Sequence, residues 1–359
     1  MKISIQKDLV LHRNGERQSY SGRWIERARS DGIQVKVIDA FKEPVTSISD
    51  CDGFMWRPSP SAYSRLYAKR LLPAIEHGLA IPTFPDWRTL WHFEDKIAQH
   101  YLLTFANIPA PSTFVAWDRA QALEFAETTA YPFVLKLASG FQSANVRLIK
   151  DRDEAKYFVD QLFGPGVTGL GYGPASSSRR FLRRLRMAGD SLAGRSHPNT
   201  PSRASELQHG YFYAQEFLPR NDFDVRITVI GNRAFGFRRF NRTDDFRASG
   251  SGKIDWDPAA IPEDMLRLAF RTSRILGAQT VAIDGLRKES QPVVSELTLT
   301  YASWAVRDCP GHWVLNGGPG TGTLHWVEGA MLAEDAIYDD FIAQVKAART
   351  PHPLRDAGE

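Results

Sequence analysis

The feature that most constrains this chain is a predicted β-hairpin at residues 280–297, with the sequence TVAIDGLRKESQPVVSEL. Its arms, Thr280–Leu286 and Pro292–Leu297, are rich in β-branched and apolar residues, and the polar residues between them are typical of a turn. Each arm carries an acid, Asp284 or Glu296, and a carboxylate is costly to bury without a positive partner. Two interpretations are open: a seat for a divalent cation such as Mg²⁺, or two acids paired with arginines.

Composition is that of an ordinary globular protein. Of the 359 residues, 43% are hydrophobic and 24% are charged, and no apolar run is long enough to span a bilayer. Charges occur throughout the first 20 residues, which argues against a signal peptide. Cys51 and Cys309 form no CxxC motif, so we expect neither a disulfide framework nor a zinc site, and we expect a cytoplasmic location.

The net charge of +4 arises from one segment. Residues 179–203 contain seven arginines and one acid, within a Gly-, Ser- and Pro-rich stretch at about 164–210 that we interpret as an insertion. Two hypotheses are open for this stretch, a solvated surface insertion or a docking surface for an anionic partner. We do not expect a nucleic-acid partner, because such sites interleave aromatic residues with basic ones and this segment has only Phe181.

The first part of the chain, residues 1–88, has the pattern of a small α/β lobe. Strand-like segments at 33–38 and 53–56 alternate with helical patterns, which favours a parallel sheet. Arg57 follows the second of these strands. Because ligands of open α/β sheets gather at the carboxyl ends of strands, Arg57 is either a ligand for a substrate carboxylate or a surface arginine.

Three further motifs follow in the middle of the chain. A helical pattern over about 89–106 contains Lys96 and is ended by an Ile-Pro-Ala-Pro stretch. The apolar strand Pro132–Lys136 leads into a loop of small residues, which has a composition suited to lie over phosphates. A second hairpin is expected over 225–240, with a two-residue Gly-Asn turn.

In this order the motifs resemble the ATP-grasp superfamily, in particular carboxylate–amine ligases such as the ribosomal-protein glutamate ligases and glutathione synthetases. The resemblance covers roughly residues 90–300. It rests on an Asp-Lys pair, a strand that ends in lysine, Gln-Glu-Phe, an Asp-x-Arg hairpin, an Arg-rich strand and the two acids of the last hairpin. The implied fold class is α/β (α+β), an ATP-grasp fold with a small N-terminal α/β lobe and two grasping lobes with antiparallel sheets.

The resemblance implies a division of the chain into four segments. They are an N-terminal pre-ATP-grasp domain at 1–88, a small grasping lobe at 89–218 with the basic insertion, a C-terminal lobe at 219–348 with the metal site, and a tail at 349–359. The Gly-rich segment 316–322 is expected to be a plain loop, since no Lys-Ser/Thr follows it. Residues 326–348 form an amphipathic helical pattern that either closes the lobe or makes a contact in a homodimer.

The resemblance also implies an ATP site. Its nucleotide-binding residues would be Lys96, Lys136, Ser139, Gly140, Gln215, Glu216, Phe217, Asp222 and Asp224. The two lysines would bind phosphates beneath the small-residue loop. The backbone of Glu216 and Phe217 would meet the adenine at the hinge between the lobes, and one of the two aspartates would lie near the ribose.

The catalytic and metal-binding residues are implied in the same way. Arg226 and Arg239 would neutralise charge around the γ-phosphate, whereas strand alternation is expected to point Arg238 away. The metal ligands would be Asp284, Glu296 and Thr298, with Mg²⁺ as the ion and Mn²⁺ as an alternative. The family usually has Glu-x-Asn where this chain has Glu-Leu-Thr, so the number of metal ions, one or two, stays open.

The implied reaction is an ADP-forming ligation in two steps. A substrate carboxylate attacks the γ-phosphate to give an acyl phosphate, and an amine then displaces phosphate to form an amide. The implied partners are a small-molecule or peptide carboxylate and an amine. Two alternatives remain, a kinase that phosphorylates a hydroxyl and a non-catalytic, ATP-binding regulatory protein.

Overall fold

The computed structural model of this chain describes residues 1–8, 11–13, 16–140, 145–170, 206–243 and 245–349. The Arg-rich segment 179–203 lies outside the described residues, and the expected insertion is described only at its two ends. The expected tail lies outside them as well, apart from its first residue, Arg349.

The N-terminal part builds a parallel sheet. Its strands and helices, with the short hairpin β2–β3, are β1 (Lys2–Gln6), β2 (Leu11–Arg13), β3 (Glu16–Gln18), α1 (Tyr20–Ser30), β4 (Gln34–Ile38), β5 (Gly53–Met55), α2 (Ala62–Gly78) and β6 (Thr83–Phe84). The strand order is β4-β1-β5-β6, and all three pairings are parallel, as the sequence predicted. The central strand β1 was not predicted. It alternates Ile3 and Ile5 with polar residues although Ser4 and Gln6 are also buried.

The helix predicted over about 89–106 is wrong in one respect, because it is two helices, α3 (Trp87–Leu90) and α4 (Lys96–Phe105). Glu94 has a left-handed φ of +53°, which a continuous helix cannot include. Asp95 then caps α4 by accepting a hydrogen bond from the Ala98 N–H at 3.0 Å. The break places Lys96 in the first turn of α4, buried in the protein, and not on a solvated helix face.

A second sheet follows, and it is antiparallel. Its elements are β7 (Thr113–Ala116), α5 (Arg119–Thr128), β8 (Phe133–Lys136), β9 (Val146–Ile149), α6 (Arg152–Leu162) and β10 (Phe212–Glu216), with strand order β7-β10-β8-β9. Phe133, Leu135 and Phe212 pack in one core with residues of α5 and α6. Because side chains alternate along a strand, Lys136 and Gln215 face the opposite side, towards the third sheet.

The third sheet contains both predicted hairpins. Its elements are β11 (Phe223–Ile230), β12 (Arg233–Phe240), β13 (Ile254–Asp255), α7 (Glu263–Leu276), β14 (Thr280–Lys288), β15 (Gln291–Thr298), α8 (Trp304–Arg307), β16 (Gly311–Asn316) and β17 (Thr323–Glu328). The order is β15-β14-β11-β12-β16-β17, and β13 pairs with β12. Apolar residues of one face pack against α7, including Val225, Ile227 and Ile283. The other face, here called the inner face, carries the charged residues of the site.

The turn of the last hairpin is shorter than predicted. Pairing continues to Lys288 and Gln291, which leaves only two residues at the tip, with Glu289 in a left-handed conformation at a φ of +56°. The charged residues expected in the turn belong to the strand instead, and their side chains form ion pairs with acidic residues of other elements. Arg287 binds Asp264, and Lys288 lies 2.7 Å from Glu216.

The C-terminal helix α9 (Ala333–Arg349) covers the first sheet. The helical region predicted at 326–348 is therefore wrong at its start, since β17 extends to Glu328. The indole N–H of Trp24 donates to the Glu334 carbonyl at 3.0 Å, and Arg23 binds both carboxylate oxygens of Asp335. Segment 317–322 is the loop between β16 and β17, as expected. None of the helices described here combines the length and apolar composition needed to cross a membrane.

Candidate active site

Four charged side chains from distant parts of the chain meet between the second and third sheets. Asp284 and Glu296 are cross-strand partners on β14 and β15. The Lys96 Nζ lies 3.3 Å from Glu296 Oε1, and the Lys136 Nζ lies 3.4 Å from the Ser295 carbonyl oxygen. The structure thus brings together the two lysines and two acids that the sequence singled out.

A β-bulge turns Glu296 into this cleft. The pairing register shifts between Asp284 and Gly285, so that Gly285 pairs with Val294 and Ser295 is the extra residue. Bulges re-aim side chains in this way. Val294 remains in the core beside α7 while Glu296 faces the lysines, and the Ser295 carbonyl is placed where the Lys136 Nζ can donate to it.

The inner face of the third sheet carries a buried ion network. Arg226 binds both oxygens of Asp284, at 2.7 and 2.8 Å. Arg239 lies 2.8 Å from Asp284 Oδ2 and also binds both oxygens of Asp224, at 2.7 and 2.6 Å. Burial by itself would raise the pKa of Asp284, but the two guanidinium groups outweigh it and hold that pKa well below its usual range. The arginine-paired interpretation of Asp284 therefore describes the ligand-free chain.

Arg238 lies on the opposite face of β12, as strand alternation predicted. Its guanidinium binds Asp255 and lies over the rings of Phe223 and Phe240, at 5.0 and 5.7 Å from their centroids. Arg238 therefore does not contribute to the charge of the cleft.

The two lysines differ in their partners. Lys96 donates to the Gly140 carbonyl at 3.0 Å and pairs with Glu296. Burial would lower the pKa of Lys96, but Glu296 and Glu94 outweigh it and raise that pKa above its ordinary value. Lys136 is only 7% exposed, and no carboxylate of the described residues lies within ion-pair distance of it. Burial therefore lowers the pKa of Lys136 to about 8.

Glu94 is a residue that sequence reasoning missed. Its side chain is 8% exposed, and its Oε2 is buried without a hydrogen-bond partner. Burial raises the pKa of this carboxyl, which lies close enough to Lys96 and Glu296 for their charges to act on it. The sequence offered no signal beyond its position beside the Asp-Lys pair.

The first side chain of the expected phosphate loop is hydrogen-bonded within the protein. The Ser139 hydroxyl donates to Glu206 at 2.8 Å and accepts from the Gln208 side chain at 2.9 Å. Gly140 has a φ of +120°, and a Cβ at this position would come within 2.1 Å of the Asn145 side chain. A side chain at this position would therefore be strained. The rest of the expected loop, residues 141–144, lies outside the described residues.

At the expected hinge, the side chain of Glu216 turns away from the cleft. It accepts from the Lys288 Nζ at 2.7 Å and from the Ser112 N–H at 3.1 Å. Phe217 packs edge-to-face on Phe246, with ring centroids 5.6 Å apart. Gln215 lines an open cleft that Lys96, Gln99, His100, Tyr213 and Glu296 also line, with an empty volume of about 310 Å³ when the open solvent at its mouth is included.

Of the two aspartates expected near a ribose, one already binds an arginine of the protein. Asp224 is held by Arg239, whereas Asp222 is exposed to solvent. This leaves Asp222 as the aspartate whose carboxylate can accept hydrogen bonds from a ligand.

The predicted metal ligands form an all-oxygen donor set. Thr298 lies two residues beyond Glu296 and is paired with Ala282 on the neighbouring strand. Among the described residues, no three acidic, histidine or cysteine side chains converge on a common point. A pair of carboxylates with a hydroxyl nevertheless fits Mg²⁺, which keeps several waters and takes one or two protein carboxylates beside substrate phosphates.

Comparisons with known proteins agree with this architecture. The family profile of the RimK-like ATP-grasp domain matches residues 93–164, which include both lysines and the start of the loop. The chain is 25% identical to the α-aminoadipate–LysW ligase LysX of Saccharolobus solfataricus over 266 residues, which is 72% of this chain and 80% of the relative.

Two solved structures share the fold. One is a RimK domain ATP-grasp protein from Sphaerobacter thermophilus, with a TM-score of 0.50 and 18% identity, covering 86% of this chain and 95% of that one. The other is the ATP-grasp ligase PsnB complexed with a minimal precursor, with a TM-score of 0.54 and 14% identity, covering 95% and 98%. The chain therefore has the predicted ATP-grasp fold, and it is similar to the carboxylate–amine ligases of the ATP-grasp superfamily.

Proposed function

We propose that the protein is an ADP-forming ligase that uses ATP to join a carboxylate to an amine through an acyl phosphate. The observation that carries this proposal is the meeting of Lys96, Lys136, Asp284 and Glu296 in one cleft between two sheets. Phosphoryl transfer depends mainly on positioning and on neutralisation of charge. A cleft with buried cations on both walls and carboxylates on one supplies these for a triphosphate and its metal ion.

The nucleotide lies between the second and third sheets in this proposal. Lys136 and Lys96 bind its phosphates, and the backbone of Ser139 and Gly140 lies over them. The backbone of residues 215–217 meets the adenine, and Asp222 accepts from the ribose. Lys136 gains most from this arrangement, because the triphosphate would be a counter-ion that none of the described residues provides.

In the first step, an oxygen of the substrate carboxylate attacks the γ-phosphorus and ADP leaves. Arg226 and Arg239 stabilise the charge that develops on the transferred group. Because Asp284 and Asp224 hold both guanidinium groups in place, little reorganisation is needed during the reaction. Mg²⁺ or Mn²⁺, when bound by Asp284, Glu296 and Thr298, adds neutralisation of the phosphate charge.

In the second step, the amine attacks the acyl carbon and phosphate leaves. Water must be kept out, because it would hydrolyse the acyl phosphate. The loop after β12 already contacts the second sheet, since Arg247 Nη1 donates to the Val146 carbonyl at 3.1 Å. We propose that this loop and the two grasping lobes, 89–218 and 219–348, close over the substrates.

The partner classes follow from the chemistry. The relative named above is an α-aminoadipate–LysW ligase. For the present chain we propose a small-molecule or peptide carboxylate and an amine, with residues 1–88 forming part of the substrate site. We also propose a cytoplasmic location, because the reaction consumes ATP and both cysteines are free thiols. A homodimer stays a prediction.

The test is to incubate the protein with ATP, Mg²⁺ and a pool of amino acids. ADP, inorganic phosphate and new amides are measured, the amides by mass spectrometry. A ligase forms all three products, whereas a kinase forms ADP and a phosphoester without free phosphate. A regulatory protein binds ATP without turnover. Lys136→Ala is expected to abolish product formation, and Arg238→Ala is the matched control that should retain it.

A further inference from the structure

Arg65 connects helix α2 of the N-terminal part to two segments that lead into the proposed nucleotide site, and the mechanism above does not use it. One of its Nη atoms donates to the Glu94 carbonyl at 3.2 Å. The other donates to the Glu206 carboxylate at 2.6 Å. The Arg65 side chain is only 11% exposed, and a charged side chain is seldom so buried unless its charge is paired. One guanidinium group thus joins three parts of the chain that are distant in sequence.

The first contact holds the turn that places Lys96. Glu94 has a φ of +53°, and a residue with a side chain keeps such a conformation only where the surrounding structure holds it. Arg65 bonds the Glu94 carbonyl on one side of the turn. On the other side, the Lys96 N–H donates to the Ala138 carbonyl at 2.9 Å. Because the turn is fixed from both sides, the Lys96 Nζ reaches the Gly140 carbonyl at 3.0 Å.

The second contact continues as a chain of hydrogen bonds to the start of the expected phosphate loop. The Glu206 Oε2 that binds Arg65 also accepts from the Ser139 hydroxyl at 2.8 Å. That hydroxyl accepts from the Gln208 side-chain amide at 2.9 Å. The Tyr211 hydroxyl donates to Gln208 Oε1 at 2.6 Å and accepts from the Ala138 N–H at 2.8 Å. Each hydroxyl both donates and accepts, and such satisfied networks make a structure rigid.

Glu206 is the member of this chain that depends most on Arg65. Its side chain is 39% exposed, so the carboxylate has solvent as an alternative partner. Burial would raise the pKa of Glu206, but the Ser139 hydroxyl and the Arg65 guanidinium outweigh it and hold that pKa below its ordinary value. Without Arg65, nothing in this chain of hydrogen bonds would hold the carboxylate against Ser139 in preference to water.

We propose that Arg65 is a positioning residue for the nucleotide site. Its contact with Glu206 fixes Ser139, and its contact with the Glu94 carbonyl fixes Lys96. The inference rests on the proposed function, in which the phosphates of ATP bind to Lys96 and to the backbone of the expected loop. Arg65 itself does not touch the nucleotide, because protein oxygen atoms accept from both of its Nη atoms. The position of helix α2 is therefore coupled to the affinity for ATP.

The geometry of the two contacts requires a guanidinium group. Arg65 uses its two Nη atoms to reach a carbonyl and a carboxylate at the same time. The planar fork of an arginine holds its donors in fixed directions, whereas a lysine carries one ammonium group at the end of a flexible chain. A lysine at this position would keep the positive charge but could not hold both segments. Replacement by lysine therefore separates positioning from charge.

The test measures the Kd for a non-hydrolysable ATP analogue with Mg²⁺ by calorimetric titration. Arg65→Ala should raise this Kd at least about fivefold, which is the lower end of typical coupling between distant sites. Arg65→Lys should restore no more than part of the affinity. The melting temperature of each variant is measured alongside, because a merely structural arginine would lower the melting temperature and leave the Kd of the folded protein unchanged.

A matched control lies on the same helix. Arg70 is an exposed arginine of α2 whose guanidinium donates to the Leu66 carbonyl of its own helix, and Arg70→Ala should leave the Kd unchanged.

A double-mutant cycle tests the path through Glu206. Glu206→Ala should also raise the Kd for the analogue, because it releases Ser139. The variant that combines it with Arg65→Ala should bind no more weakly than Arg65→Ala alone, since both changes break the same chain of hydrogen bonds. Losses that multiply would show that the two residues act independently, and they would reject this path.

A measurement without nucleotide separates this inference from the proposed function. The Ala138 N–H is bonded to the Tyr211 hydroxyl, so its hydrogen exchange reports on the start of the loop. Exchange should be faster in Arg65→Ala than in the wild type and unchanged in Arg70→Ala. If the wild type binds no analogue, the proposed function fails, and the exchange rate alone decides on Arg65. Unchanged exchange in Arg65→Ala, an unchanged Kd, or full recovery in Arg65→Lys would overturn the inference.

Discussion

The second and third sheets form the two walls of the proposed nucleotide cleft, and they differ in whether their buried charges have partners of opposite charge. On the third sheet, Asp284 is bound by Arg226 and Arg239, and Arg239 is bound in turn by Asp224. On the second sheet, the buried Lys136 has only a carbonyl oxygen as a partner among the described residues. The buried charges of the third sheet therefore balance one another without a ligand. The charge of Lys136 on the second sheet is not balanced, so we infer that the phosphates of ATP supply its counter-ion.

The largest expected effect is on turnover in Lys136→Ala. Loss of this cation should lower kcat/KM by about 10²–10³-fold or more, as removal of a single transition-state donor does. The melting temperature should stay the same or rise, because an unpaired buried charge is removed. ADP release and thermal unfolding measure the two effects. A melting temperature that falls as far as that of an Asp284 variant would show that both walls are structural.

The next expected effect is a difference in the free energy of unfolding between variants of Asp284 and Glu296. Asp284→Asn removes the carboxylate that the buried Arg239 and the partly buried Arg226 share, and it should lower the free energy of unfolding by about 3–5 kcal/mol. Glu296 has a side chain that is 29% exposed and a single cation at 3.3 Å, so Glu296→Gln should change stability by less than about 1 kcal/mol. Both variants should lose turnover. Denaturant unfolding gives the comparison, and equal losses of stability would contradict it.

The third effect is a dependence of ATP affinity on pH. The pKa of Lys136 is about 8 in the empty cleft, so binding of a triphosphate at higher pH requires uptake of a proton. The Kd for ATP with Mg²⁺ should rise up to about tenfold per pH unit above pH 8 in the wild type and stay flat in Lys136→Arg.

Stability of the ligand-free protein should change in the opposite direction over the same interval. The unfolded lysine keeps its proton up to about pH 10.4, so the unfolded state binds more protons than the folded state above pH 8, and this lysine contributes stability that increases with pH. Calorimetric titration of the protein with ATP, in buffers of different ionisation enthalpy, measures the number of protons taken up when ATP binds. Zero proton uptake on ATP binding at pH 8.5 would contradict the inference that Lys136 lacks a counter-ion in the empty cleft.

The smallest effect is expected outside the cleft. Arg238 and Asp255 form a partly exposed pair on the other face of β12, so Arg238→Ala should cost no more than about 1 kcal/mol and leave turnover within about twofold. Arg239→Ala, one residue away, should abolish activity. Similar losses in the two variants would show that the inner face is not the reactive one.

Much of this architecture could be predicted from sequence because it depends on local pattern. The hairpin at 225–240, with its Gly-Asn turn, and the acidic hairpin were visible as alternating or apolar runs bounded by turn residues. The acids were informative because they interrupt apolar strands. The order of motifs then indicated the superfamily.

The rest depends on tertiary contacts that no local pattern contains. The break before Lys96 requires a left-handed Glu94, and Glu94 is not a residue type that marks such a site. The central strand β1 is covered on both faces by distant segments, so its alternating pattern gives no sign of its burial. The bulge at Ser295 is a property of pairing between two strands. The roles of Ser139 and Glu216 likewise depend on partners far away, Glu206 and Lys288.

The docking of α9 on the first sheet has a consequence for synthesis of the protein. Helix α9 emerges from the ribosome more than two hundred residues after β6, the last strand of that sheet. At a translation rate of about 5–20 residues per second, the apolar face of the sheet remains without α9 for roughly 10 to 50 seconds. During translation this face is a natural target for chaperones. A circular permutant that places α9 ahead of β1 should shorten that waiting time and reduce aggregation of the nascent chain.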